Sequence, residues 1–319
     1  MINVTSIPIK LPIKATNTVV IFDEPLTIFD PGAKGENSLA IIEKILKAKD
    51  KTLKDIKRIF LTHGHIDHFG CVEDLRKISN PEVFLHEHDF DKAFRDQTGS
   101  NLYNRAYKDL LKKHGSPEIG IKGIDDFLKY IEIFYTPLSS ATPIPKKITF
   151  ESTELEVIET PGHTHGSVVF YNKDDGILIS GDTVIKEISP NPVIEITKEG
   201  EVFSSVSSFR DSICLLDNYT YKRIIPGHGE EITNFKEVFN FYQKSWNNRE
   251  EKIKEGFRLY GELSAYDMMK YVFGELGGFE IFLGMSEIIG YFYYLKSIGL
   301  IDFNENDALI KACPTDLFS

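Results

Sequence analysis

Ile59-Phe60-Leu61-Thr62-His63-Gly64-His65-Ile66-Asp67-His68 is the stretch on which the reading of this chain turns. An apolar run that reads as a strand delivers three of the chain's nine histidines and one carboxylate within six positions. Neutral imidazole and carboxylate are the donors that zinc and its borderline neighbours take, and a tight turn after a rigid strand aims several at once. His63 and His65 alternate with Gly64 and Ile66, so they leave the strand end on one side. Asp67 and His68 lie on the turn that follows, within reach of a second position a few Å away. A chance cluster of loop histidines is a poor account of so tight a spacing.

Working outward, residues 19–22 and 26–29 read as two short strands joined by the turn Asp23-Glu24-Pro25, and Asp30-Pro31-Gly32 closes the second. Downstream, strands over 148–150, 155–158, 168–171, 177–179 and 223–225 are separated or followed by glycine-rich turns. Three of these turns carry further donors: Thr160-Pro161-Gly162-His163-Thr164-His165-Gly166-Ser167, Ser180-Gly181-Asp182-Thr183 and Pro226-Gly227-His228-Gly229. Each exposes an imidazole or a carboxylate at a strand end, so His63, His65, Asp67, His68, His163, Asp182 and His228 form one set of candidate ligands.

His63-x-His65-x-Asp67-His68, followed in order by His163, Asp182 and His228, resembles the signature of the metallo-β-lactamase fold superfamily. The resemblance implies an α/β fold, an αββα sandwich. It also implies a dinuclear centre in which His63, His65 and His163 hold one divalent metal ion, Asp67, His68 and His228 the other, and Asp182 bridges both. Zinc is the first expectation, with iron, manganese or nickel as alternatives, because nitrogen and oxygen donors accept all of them. In that superfamily an Asp-x-Gly follows an early strand near the metals; Asp30 and Gly32 match it, and a plain turn accounts for them equally well. His165 is read as a surface residue or a weak substrate contact, and His86 and His88 as a solvated turn rather than a contact near the metals.

Composition sets the outer bounds. A chain of 319 residues, 41% apolar and 27% charged, reads as globular. Its first twenty residues are interrupted by Pro8, Lys10, Pro12 and Lys14, unlike a signal peptide, and no run reaches the roughly 18 apolar residues of a membrane span, so a cytoplasmic location without membrane association is expected. Cys71, Cys214 and Cys313 are few and far apart, which indicates neither a disulfide framework nor a thiolate zinc site; Cys71 reads as a small buried residue. The net charge of −11 disfavours nucleic acid as a partner.

Residues 1–234 read as the catalytic domain, with a charged helical insertion at about 89–130 expected to help shape the substrate pocket and to bury Phe90, Phe94, Leu102, Tyr103, Tyr107, Leu110 and Leu111. A helix is expected over 201–219. Residues 235–319 read as a helical C-terminal domain: a helix over 235–257 ended by Gly256, one from Ser264 with a Ser264–Asp267 capping box, one over 279–298, then a strand pair. That tail resembles the small winged-helix-like domain of the superfamily branch containing lactamase-like endoribonucleases and glyoxalase II relatives. Its acids outnumber its bases by twelve to eight over 240–319, so packing, a lid or homodimer formation is expected of it rather than DNA binding.

The implied activity is hydrolysis of a small ester or thioester by a bridging hydroxide, similar to glyoxalase II, with Asp67 orienting the nucleophile and later taking its proton. An endoribonuclease or other phosphodiesterase is the alternative within hydrolysis, and a mononuclear-iron persulfide dioxygenase the alternative outside it.

Overall fold

Runs of β-branched and aromatic residues build the first unit of the chain, whose sheet edges carry every motif quoted above. The computed structural model describes residues 2–8, 14–35, 37–94, 102–186, 189–190, 194–197 and 200–318, with the side chains of residues 3 and 102–104 outside that description. Lys10 and Pro12, and the side chains of Leu102 and Tyr103, therefore lie outside the described residues. Two compact units divide the chain: residues 1–96, 131–190 and 212–239 form the first, and residues 97–130, 191–211 and 240–319 the second. This grouping departs from the expected boundary at 234/235, because residues 97–130 and 191–211 group with the C-terminal segment.

In the first unit, β1 (Ile2–Pro8), β2 (Ala15–Ile21), β3 (Thr27–Phe29), β4 (Arg58–Phe60), β5 (Glu82–Leu85) and β6 (Thr142–Pro143) form a six-stranded sheet in that order. The first three are antiparallel neighbours and the last four run parallel. A second sheet has the order β11 (Arg223–Pro226), β10 (Ile177–Gly181), β9 (Val168–Asn172), β8 (Glu154–Glu159), β7 (Lys147–Thr149), with only β10 and β11 parallel. Val19, Phe29 and Phe60 from one sheet meet Ile148, Leu155, Phe170, Ile179 and Ile225 from the other in one buried cluster. Phe170 stands edge-on to Phe29 with ring centroids 4.8 Å apart, the geometry aromatic quadrupoles favour.

Helices Ser38–Lys47 and Val72–Ser79 turn Ile42, Leu46, Val72 and Leu75 inward at helical spacing, and the first of them packs beside β1. The result is the expected α/β sandwich. β1 was not among the expected strands; it pairs with all of β2, from Ile2↔Ile21 to Pro8↔Ala15.

The second unit is mainly helical, with helices Leu102–Lys113, Ala265–Phe273 and Phe279–Ser297 and the greater part of Glu118–Ile131, Ser205–Leu216 and Phe235–Tyr260. Three short strands, β12 (Leu263–Ser264), β13 (Ile301–Asp302) and β14 (Lys311–Pro314), pair in the order β12-β14-β13, one strand more than the expected pair. Its core joins Leu111, Met268, Met285, Ile288, Phe292 and Leu295. The helix over 201–219 is shorter than expected, at Ser205–Leu216.

Gly256 does not end the long helix, which continues to Tyr260. A side chain there would meet Met268 Sδ at 2.8 Å, so this glycine lets a neighbouring helix approach. The stop is Gly261, whose φ of +72° and N–H to the Phe257 carbonyl close the helix. Ser264 caps the next helix, accepting from the Asp267 N–H at 3.1 Å and donating to its carboxylate at 2.7 Å. No helix among the described residues is long and apolar enough to cross a membrane.

Candidate metal centre

All seven candidate donors converge within the first unit, at the ends of strands from both sheets. β4 stops at Phe60, and the chain then bridges the sheets: Leu61 N–H donates to the Phe84 carbonyl, and the Thr62 carbonyl accepts from Val168 N–H. His63 and His65 follow directly, and the short helix Ile66–Phe69 brings in Asp67 and His68.

One group comprises His63, His65 and His163. His65 Nδ1 lies 3.0 Å from both His63 Nε2 and His163 Nε2. Ligands on a tetrahedral zinc ion at about 2.0–2.1 Å stand about 3.3 Å apart, so this spacing suits a shared cation. The second group comprises Asp67, His68 and His228, with Asp67 Oδ2 at 3.2 Å from His228 Nε2 and 3.5 Å from His68 Nε2. Asp182 faces both groups: its Oδ2 is 3.5 Å from His163 Nε2 and 3.3 Å from His228 Nε2, and its Oδ1 is 3.5 Å from His68 Nε2.

Outer partners set the rings. Thr62 Oγ1 lies 3.0 Å from His63 Nδ1, Asp30 Oδ2 lies 2.9 Å from His68 Nδ1, and the Ala15 carbonyl lies 2.7 Å from His228 Nδ1. Each contact leaves the opposite nitrogen aimed at the centre, the arrangement by which metal-binding histidines are oriented. Asp30 also accepts from Thr62 N–H at 2.8 Å and Thr62 Oγ1 at 2.7 Å. It does so from a left-handed backbone (φ +47°), a conformation that costs energy for a side-chain-bearing residue and is offset here by three hydrogen bonds. The equal choice left at Asp30 between turn and site therefore resolves toward the site.

The electrostatics of the two groups differ. Burial, followed by the neighbouring imidazoles, holds His63 well below its usual pKa and brings His65 down to about 3. Burial also lowers His163, against the pull of Asp182. These three offer neutral lone pairs. In the second group burial works against charge, yet His68 and His228 outweigh it and hold Asp67 at about 2, while Asp182 and Asp67 lift His228 to about 10 and the surrounding carboxylates raise His68. A cation entering there must displace protons.

The residues fit a metal on a second count. His68 Nε2, His228 Nε2 and Asp182 Oδ1 are buried without a hydrogen-bond partner, and an unpaired buried polar atom is costly. A divalent cation satisfies all three at once.

Other sequence candidates fall elsewhere. Cys71 is buried and donates to the Pro31 carbonyl at 3.0 Å, and burial pushes its thiol well above the usual range, so it joins neither group. His165 stacks on His88 with ring centroids 3.8 Å apart, and His86 lies 3.9 Å from Glu159; none belongs to the ligand groups. One residue escaped sequence reasoning altogether. Asp89, fully buried, accepts hydrogen bonds from the turns that carry His63, His65 and His163. It sits in the charged run Glu87–Asp91, where nothing in the pattern marks it out.

A family model described as the metallo-beta-lactamase superfamily matches residues 12–228, a span holding all seven donors. A probable metallo-hydrolase of Bacillus subtilis is 25% identical over 308 residues, covering 92% of each chain. A hydroxyacylglutathione hydrolase of Haemophilus influenzae is 24% identical over 219 residues, covering 68% of this chain and 87% of its own. Among solved structures, a metallo-beta-lactamase family protein of Thermus thermophilus superposes with a TM-score of 0.81 at 21% identity over 98% of both chains, and shows the same fold.

Proposed function

Because the chain belongs to the metallo-beta-lactamase superfamily and is a metallo-hydrolase, we propose that its centre is dinuclear and that it hydrolyses a small ester or thioester. The observation that carries this reading is the position of Asp182, whose oxygens lie 3.5 Å from His163 Nε2 in one group and 3.3 and 3.5 Å from His228 Nε2 and His68 Nε2 in the other, inside one unit. His63, His65 and His163 would hold one cation, Asp67, His68 and His228 the other, with Asp182 reaching both and zinc the first candidate. When bound, two such cations polarise a carbonyl and make water a nucleophile near neutral pH. Asp67 would orient the attacking water as a hydrogen-bond acceptor and take its proton as the water adds to the acyl carbon, the proton passing to the departing oxygen or sulfur as the acyl bond breaks. Asp30 and Thr62 keep His68 and His63 turned toward the centre throughout.

A thioester substrate draws support from the likeness to the hydroxyacylglutathione hydrolase. A small molecule is favoured over nucleic acid by the net charge of −11 and by the excess of acids in the C-terminal segment, which we read as winged-helix-like and as serving packing or self-association. Unpaired Cys71, Cys214 and Cys313 suit a reducing cytoplasm. A panel of acyl-glutathiones and simple esters, assayed with and without chelator and with His63→Ala, tests the assignment. Chelator-sensitive turnover that His63→Ala abolishes supports it; inactivity across the panel together with cleavage of single-stranded RNA overturns it.

A further inference from the structure

Asp89 lies on the turn Glu87–Asp89 after β5, away from every ligand in sequence, yet its carboxylate is filled by the loops that present the first group. Its Oδ2 accepts from Gly64 N–H at 2.7 Å and from Thr164 Oγ1 at 2.7 Å, and its Oδ1 accepts from Gly166 N–H at 3.0 Å and from Lys92 Nζ at 2.9 Å. Gly64 lies between His63 and His65, and Thr164 and Gly166 follow His163. Two loops a hundred residues apart in the chain are thus tied to one side chain.

The glycines record the same contact independently. A Cβ on Gly64 would meet Asp89 Cβ at 3.0 Å, and one on Gly166 would meet Asp89 Cγ at 2.7 Å. Both loops carry glycine where their backbone N–H groups meet this carboxylate, and a side chain at Gly64 or Gly166 would crowd it. Four donors also use all the acceptor positions a carboxylate offers. Burial opposes ionisation, but Lys92, Thr164 and Gly64 outweigh it and hold the group down to about 2, so it is charged at any working pH.

We propose that Asp89 is the positioning residue of the first metal position: it clamps the His63–His65 turn to the His163 turn and sets the spacing of their nitrogens. This rests on the dinuclear reading. Asp67, His68 and His228 receive no bond from it, so its influence falls on one position of the two. Asn in its place keeps the shape but puts an NH2 against groups that are themselves donors.

The test uses the full chain stripped by chelator, titrated calorimetrically with Zn²⁺ and in parallel followed by Co²⁺ absorption, alongside thermal unfolding of the metal-free protein. His163→Ala identifies the binding step that belongs to the first position. For Asp89→Asn that step is expected to weaken by about 10–100-fold while the other holds within a factor of about two. Thr164→Val, which removes the bond to Asp89 together with the contact to Ser167 Oγ and keeps the shape, should weaken it in the same direction and carries the test if Asp89→Asn does not fold. Unchanged affinity at both positions overturns the proposal. So does equal weakening of both in step with a lower melting temperature of the metal-free protein, since that describes a general structural role. If the parent chain binds one ion only, the dinuclear reading fails instead, and Asp89 is judged by whether that ion weakens in the variants.

Discussion

Both units bury histidine, under opposite conditions. In the first unit five imidazoles lie together with Asp67 and Asp182, and His63, His68 and His228 are each oriented by an outer partner. In the second unit His114 is fully buried with neither ring nitrogen hydrogen-bonded, 6.2 Å from the ring of Phe303. Burial alone is therefore no mark of a site. The difference is convergence: in the first unit unpaired nitrogens face other donors across the width of a metal ion, whereas in the second an unpaired ring stands beside Phe303 and joins no donor group among the described residues.

The largest effect that can break this contrast is His63→Ala, which removes a donor at the heart of the cluster. Hydrolysis should fall to the level of chelator-treated protein, with metal content falling in parallel and far-ultraviolet circular dichroism unchanged; retained activity would place the chemistry elsewhere. The counterpart in the second unit is acid. Burial, then Lys113, lowers His114 from 6.5 to about 4, so the unfolded chain takes up a proton that the folded one refuses between those values. Stability from this group is complete above about pH 6.5, declines as pH falls and is fully lost below about 4, a change on the order of 3 kcal/mol. Denaturant titrations at pH 7 and 4.5 measure it, and His114→Leu should flatten that part of the pH dependence.

A smaller effect probes orientation rather than donation. Asp30→Ala frees His68 Nδ1 and both Thr62 donors, and should weaken metal binding by about 10–100-fold in competition with a chromogenic chelator. Smallest is Ser264→Ala, which removes the cap of helix Ala265–Phe273 and should cost about 1 kcal/mol of stability, read by thermal unfolding, without altering metal affinity.

The ligand set was legible because each member sits in a short, glycine-flanked turn at the end of an apolar run, where pattern and chemistry coincide. His63 to His68 needs no tertiary information to be noticed. Asp30 was half legible: Asp-Pro-Gly is also an ordinary turn, and only the contact with His68 decides between the two. Asp89 was not legible, because its partners Gly64 and Gly166 are distant in sequence and an aspartate among Glu87, His88 and Asp91 reads as surface. β1 was hidden by the prolines and lysines that follow its start, and its role comes from pairing with β2 rather than from periodicity. The grouping of residues 97–130 and 191–211 with the C-terminal segment depends on long-range contacts such as the Ile310 N–H donating to the Lys113 carbonyl, which local pattern does not encode.

Native mass spectrometry of the full chain, reconstituted with Zn²⁺ and exchanged into a volatile buffer, tests the central claim most directly. The predicted result is a mass excess of two zinc ions on the parent chain, reduced in Asp182→Ala, whose missing carboxylate faces both groups. A single ion at saturation, or two ions held undiminished by Asp182→Ala, would contradict a centre in which that carboxylate joins two metals.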